Sequence, residues 1–184
     1  MVENRMADNR TPENQMAITE LFSAADVILD AAPANKPALL DRLAEEAASR
    51  SGRPAPEILD ALLAREKIGS TALGKGVALP HTELAELAAP IVLFARLQRA
   101  IDFDARDDEP VDLVFLTLWP ASNRKGLLAA MAEICGALRD PQSARRLRGA
   151  KTADDAAQIV LQAVARDAED PDPVKDPDDV PPGL

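Results

Sequence analysis

The chain has 184 residues, 47% of them apolar, and a formal net charge of −10. This is one ordinary domain with enough apolar material for a core, and it has no basic stripe of the kind that nucleic-acid binding needs to neutralise phosphates. The lone cysteine, Cys135, cannot make an internal disulfide, no apolar run is long enough to cross a membrane, and the polar N-terminus lacks the apolar stretch of a signal peptide. A cytoplasmic protein with no membrane insertion is therefore expected.

Residues 1–19 are polar and without period, and an unstructured N-terminal extension is expected there. Residues 36–49 set Leu39, Leu40, Leu43 and Ala47 on one helical face. Residues 56–66 do the same with Ile58, Leu59, Leu62 and Leu63, and Pro56 falls where a first-turn proline is tolerated. Val77-Ala78-Leu79 reads as a short strand ending at Pro80 and His81. Two runs, Ile91 to Leu97 and Val111 to Leu118, have strand length and β-forming composition. Their near-continuous apolar character predicts strands covered on both faces. Between them, Asp102, Asp104, Asp107, Asp108 and Glu109 make an acidic turn. Residues 124–139 carry Leu127, Leu128, Met131, Ile134, Cys135 and Leu138 at helical spacing, which reads Cys135 as a core residue. Asp140-Pro141 breaks this helix from a last one over 152–166. Residues 167–184 hold seven acids, one lysine and five prolines, and cannot bury enough apolar area to fold alone. The domain is thus expected over 20–166, as a single-domain layered α/β sandwich. The residues alone leave open whether its sheet is mixed or parallel. With five aromatic residues in all, its core must be mainly aliphatic.

The chemistry points to His81, the only histidine. It comes after a stretch in which Gly69, Gly74 and Gly76 fall within eight residues, and glycines there allow positive φ and close backbone approach to a ligand. A neutral imidazole is a competent nucleophile near physiological pH. Attack on a phosphoryl group would require donors around the equatorial oxygens. Arg65, at the end of the second predicted helix, is the nearest candidate, and the hydroxyls of Ser70 and Thr71 could add to it. The bland alternative is that His81 is a structural hydrogen-bonding group near a strand end and Arg65 a helix-end cation complementing the dipole. The segment Gly69 to Gly76 resembles a nucleotide-binding P-loop, but Gly76 replaces its Ser/Thr and the order is helix–loop–strand. One His and one Cys are too few for a transition-metal site, and the acidic turn does not match a calcium loop. No cofactor is expected.

The run Arg65-Glu-Lys-Ile-Gly-Ser-Thr-Ala-Leu-Gly-Lys-Gly-Val-Ala-Leu-Pro-His81 closely resembles the active-site motif of phosphotransferase-system IIA domains of the fructose–mannitol and nitrogen-regulatory type. The likeness continues through Pro90-Ile-Val-Leu-Phe-Ala-Arg-Leu97, Ile101-Asp-Phe103 and Pro110 to Pro120, and covers about 21–164. It implies a mixed sheet flanked by helices, as in mannitol-specific IIA. It also implies that His81 takes a phosphoryl group from a histidine-containing phosphocarrier protein, with Arg65 binding the group. Family members pass it to a sugar-specific IIB domain or act as regulators through phosphorylation-dependent binding. One departure stands out: a second histidine, carried by sugar-type and many nitrogen-type members, is replaced here by the stretch Pro120 to Leu127, with Gly126 the closest match. Arg124 or Lys125 could substitute as cations. The missing histidine, the single domain and the polar tails favour the nitrogen-regulatory kind over a sugar IIA subunit. A binding module that has lost phosphotransfer is the remaining alternative, and the intact Arg65-to-His81 motif argues against it.

Overall fold

A computed structural model describes residues 16–169. The expectations for residues 1–15 and 170–184 lie outside the described residues. In chain order the elements are α1 (Ile18–Leu21), β1 (Val27–Ala31), α2 (Lys36–Ser51), α3 (Ala55–Ile68), β2 (Ala72–Gly74), β3 (Val77–Ala78), β4 (His81–Leu84), β5 (Ile91–Ile101), β6 (Val111–Pro120), α4 (Arg124–Ala137), α5 (Pro141–Gly149) and α6 (Ala153–Glu169).

The two apolar runs form the centre of the sheet. β5 and β6 pair antiparallel, with Phe94 opposite Phe115 and their rings 4.8 Å apart. Alternate residues along them feed two separate cores, as period-2 geometry requires. Val92, Phe94, Leu113, Phe115 and Trp119 face one core, shared with α4, α5 and α6. Leu93, Ala95, Val114, Leu116 and Leu118 face the other, shared with α2 and α3. Both faces are covered, which explains why these strands read as continuous apolar runs. The sheet is mixed, in the order β1-β5-β6-β3-β2, with β4 also on β6. β1 runs parallel to β5, and β3 and β4 run parallel to β6. The result is a three-layer sandwich.

The α2 and α3 helices form where the spacing predicts. Asn35 caps α2 by accepting from the Ala38 N–H, and Gly52 closes it at φ 69°. Three readings need correction. Structure begins before residue 20: Ile18 is fully buried and its N–H donates to the Glu133 carboxylate, which ties α1 to α4. The buried face of α4 is Leu127, Ala130, Ile134 and Ala137, so the stripe is rotated from the predicted one. Leu128 is 56% exposed and Cys135 is exposed rather than core, because the neighbouring stripe lies beyond the contact with α6. Finally, the break at Asp140-Pro141 opens another helix, α5, with Asp140 as its cap and the proline in its first turn. Arg145, Arg146 and Arg148 sit on this helix.

Candidate active site

The β3–β4 segment is one strand interrupted at Leu79-Pro80. Both halves keep the same register on β6, Ala78 opposite Val114 and His81 opposite Thr117. His81 is therefore the first residue of β4, not the last of the preceding strand. The interruption matters because it frees the Leu79 carbonyl from the ladder position beside the histidine. His81 Nδ1 lies 2.8 Å from that carbonyl oxygen. A carbonyl can only accept, so Nδ1 carries the ring proton. On the other side, the Arg65 Nε–H donates to His81 Nε2 at 3.0 Å. An acceptor nitrogen there must be unprotonated. The two bonds agree on one tautomer, Nδ1–H with a lone pair on Nε2.

Arg65 reaches the ring from the last turn of α3. Its second anchor is the Gly69 carbonyl, accepting from an Nη atom at 3.1 Å. The surroundings favour the neutral ring. Half-burial is the main cause that pushes the His81 pKa below its ordinary 6.5, and the Arg65 guanidinium adds to it; the Leu79 hydrogen bond and the Glu66 carboxylate oppose. The site thus holds an oriented imidazole with a cation at its unprotonated nitrogen.

Ser70 and Thr71 are placed differently from the expectation that they add donors to a phosphoryl group. The Ser70 hydroxyl donates to the Phe103 carbonyl at 2.7 Å, and the Thr71 hydroxyl donates to Glu66 at 2.7 Å. Each hydroxyl has one proton, and here it is committed to holding the loop. Glu66 organises that loop: it also accepts from the Thr71 N–H at 2.9 Å and pairs with Lys36 at 2.8 Å. Lys36 in turn donates to the Phe103 carbonyl and sits 4.6 Å above the Phe103 ring. Neither Glu66 nor Lys36 stood out in the sequence, since their partners come from four separate segments.

The glycines serve the backbone. Gly74 and Gly76, at φ 90° and 79°, flank Lys75 at the tip of the β2–β3 hairpin. Their close neighbours are protein groups: a Cβ on Gly74 would meet the Asp107 carboxylate at 2.9 Å, and one on Gly76 the Arg148 guanidinium at 2.5 Å. The hairpin tip is clasped from both sides, because Asp107 accepts from the Lys75 N–H and Arg148 donates to the Lys75 carbonyl.

Gly126 lies buried at the start of α4. A Cβ there would stand 2.5 Å from Trp119 Nε1 and 2.7 Å from Asn123 Nδ2. No side chain fits, so this packing has no room for the second histidine. Arg124 is mostly exposed and pairs with Glu83 at 3.6 Å, and Lys125 is exposed. Glu83 shares a face of β4 with His81. Thr117, overlooked in the sequence, pairs with His81 across the ladder, and its buried hydroxyl has no partner among the described residues.

Residues 20–163 match the family described as "Phosphoenolpyruvate-dependent sugar phosphotransferase system, EIIA 2", and the chain belongs to that family. Within it the similarity is to nitrogen-regulatory proteins. The chain is 45% identical over 139 residues to the nitrogen regulatory protein of Bradyrhizobium diazoefficiens, covering 75% of this chain and 90% of that protein. It is 38% identical over 127 residues to the Escherichia coli nitrogen regulatory protein, covering 68% and 78%. In three dimensions it is similar to the nitrogen regulatory protein IIA-Ntr of Neisseria meningitidis, with a TM-score of 0.75, 28% identity and coverage of 78% and 98%. The E. coli mannitol IIA structure, at 22% identity, shares the fold with a TM-score of 0.64 over 76% of this chain and 98% of that one. No helix among the described residues is long and apolar enough to cross a membrane.

Proposed function

We propose that His81 accepts a phosphoryl group on Nε2 from a histidine-containing phosphocarrier protein, and that the phosphorylated chain acts as a nitrogen-regulatory switch in the cytoplasm. The observation that carries this is the pair of opposed hydrogen bonds on the ring. Nε2 offers its lone pair in line to the incoming phosphorus, and no base is needed because that nitrogen has no proton to lose. The P–N bond to the carrier imidazole breaks as the new one forms, and the carrier recovers the electron pair. The Arg65 N–H that now bonds Nε2 is displaced by the phosphorus and meets the phosphoryl oxygens, where it offsets the spread negative charge of a loose transition state. Leu79 holds the ring through Nδ1 throughout. Ser70 and Thr71 support the site through the loop, and each would add a phosphoryl contact only by giving up its present acceptor. The unit assigned to this function is the domain expected over 20–166.

The output is a change of charge. A phosphoryl group adds about two negative charges at a surface where partners dock, enough to exclude or recruit a target protein. A sugar-specific IIA subunit feeding a IIB domain has less support, since the packing around Gly126 leaves no second histidine beside the acceptor. The test is incubation with the general phosphotransfer enzyme, the phosphocarrier and labelled phosphoenolpyruvate. Acid-labile, base-stable label should appear on the wild type and be absent from His81→Ala. Equal labelling of both rules the assignment out.

A further inference from the structure

Two hydrogen-bonding groups near the end of β6, Thr117 Oγ1 and Trp119 Nε1, have no partner among the described residues. Both side chains are fully buried. A polar group removed from water without a partner costs stability, and native proteins leave few of them. The two residues are two apart on one strand and therefore share a face. Leu116 and Leu118, on either side of Thr117, point into the α2–α3 core, so Thr117 and Trp119 lie on the face covered by α4.

Their surroundings tell them apart. β4 runs parallel to β6, with His81 opposite Thr117 and Glu83 opposite Trp119. Opposed residues of paired strands project to the same side of the sheet, so the Thr117 side chain is the one on β6 that neighbours His81. The Thr117 N–H donates to the Pro80 carbonyl at 2.9 Å, which fixes this register beside the interruption in the strand. Trp119 Nε1 is turned instead to the first turn of α4, 2.5 Å from where a Cβ on Gly126 would stand. The Thr117 hydroxyl does not tether the unphosphorylated ring, because both ring nitrogens are engaged: Nδ1 by the Leu79 carbonyl and Nε2 by Arg65. The protons of the Ser70 and Thr71 hydroxyls are committed to Phe103 and Glu66. The Thr117 hydroxyl is a donor beside the histidine whose proton is not committed.

We propose that Thr117 Oγ1 donates a hydrogen bond to the phosphoryl group on His81, a role that rests on His81 as the acceptor. As Arg65 leaves Nε2 to meet the phosphoryl oxygens, one of those oxygens accepts from the Thr117 hydroxyl. Neighbouring strands lie about 4.8 Å apart, a gap that a phosphoryl group on the ring bridges with one hydrogen bond to a threonine oxygen. A hydroxyl bonded to a charged oxygen is held more strongly than one bonded to a neutral group, the more so where water is excluded. Phosphorylation thus supplies the acceptor that the hydroxyl lacks. The cost of an unpartnered hydroxyl is borne by the unphosphorylated chain and removed in the phosphorylated one, which tilts the transfer equilibrium with the carrier towards this chain.

Two variants of the full chain test this. Thr117→Val keeps the shape and removes the hydroxyl, and Thr117→Ser keeps the hydroxyl. Each is phosphorylated from labelled phosphoenolpyruvate through the carrier, and the rate and the equilibrium level of label are read beside the melting temperature of the unphosphorylated chain. Thr117→Val should be phosphorylated about 10–100-fold more slowly and should hold less label at equilibrium with the carrier. Its melting temperature should equal or exceed that of the wild type, since a methyl replaces a hydroxyl that has no partner. Thr117→Ser should stay close to the wild type, and the ³¹P resonance of the phosphohistidine should move further in Thr117→Val than in Thr117→Ser. Equal transfer by the wild type and Thr117→Val overturns the proposal. So does a lowered melting temperature in Thr117→Val, which would give the hydroxyl a structural partner in the unphosphorylated chain. Slowing as large in Thr117→Ser as in Thr117→Val also overturns it, because the methyl and not the hydroxyl would then matter. A wild type without label on His81 overturns the acceptor assignment itself, and the role of Thr117 with it.

Discussion

At His81 two neighbours settle what the ring can do. Leu79 fixes the proton on Nδ1 and Arg65 occupies the lone pair of Nε2. Because burial and the Arg65 charge depress the His81 pKa, the folded chain binds its proton less readily than the unfolded chain does. In the interval below 6.5 and above the folded value the unfolded state holds more protons. Stability contributed by the neutral ring is therefore complete above about pH 6.5 and is lost as pH falls through that interval. With a single histidine the titration is unambiguous by NMR: His81 should titrate below 6.5 in the wild type and move upward in Arg65→Ala. The same substitution should slow phosphorylation by about 10²–10³-fold, as removal of a donor to developing charge does in other enzymes. An unchanged labelling rate would leave Arg65 as a helix-end cation only. At Gly126 the prediction runs against the resemblance. Gly126→His, the change that would restore the family's second histidine, should destabilise the fold by about 1–3 kcal/mol, because its Cβ has Trp119 and Asn123 in the way. Urea unfolding checks this; an unaltered midpoint would show that the packing yields.

Among the elements, the C-terminal turn of α3 and the loop after it depend on Glu66. Its carboxylate is nearly buried and holds the Thr71 N–H, the Thr71 hydroxyl and Lys36 at once. Glu66→Ala leaves the Thr71 donors unmet and Lys36 with Asp104 as its remaining carboxylate, and should cost about 2–3 kcal/mol of stability. It should also slow phosphorylation, since Arg65 loses the loop that anchors it; a full rate with reduced stability would separate the two roles. The elements that were legible in the sequence are those with a long uniform pattern. α2 and α3 have continuous apolar stripes, and β5 and β6 announce themselves as near-continuous apolar runs, which strands covered on both faces require. β1 was missed because Val27–Ala31 is a five-residue run with an aspartate in it, and Asp30 takes φ 55° there. β3 falls within the short strand expected at Val77 to Leu79, whereas β2 and β4, of three and four residues, have no pattern of their own and form by pairing with β3 and β6. α5 is short, and its arginines masked its apolar side: Ser143, Ala144 and Leu147 are buried, while Arg96 from β5 caps its terminal carbonyls. The rotated face of α4 shows the limit of periodicity, since Leu128 and Cys135 fit the same spacing one residue over.

For the molecule as a whole, the sandwich places the proposed acceptor where three layers meet. His81 stands at an interruption in the sheet, Arg65 comes from one helical layer, and Trp119 with Gly126 closes the other. The His81–Arg65 pair was legible in the sequence because a long motif carried it. The Glu66–Lys36 support was not, because it exists only after α2, α3 and the β5–β6 turn are packed together. The central claim, that His81 Nε2 takes the phosphoryl group, is tested most directly on chain carrying ¹⁵N-labelled histidine. After phosphorylation by the phosphocarrier, the ring nitrogens are read by long-range ¹H–¹⁵N spectra. Coupling to ³¹P should appear at Nε2, with Nδ1 unphosphorylated. Coupling at Nδ1, or no phosphohistidine at all, would contradict the account.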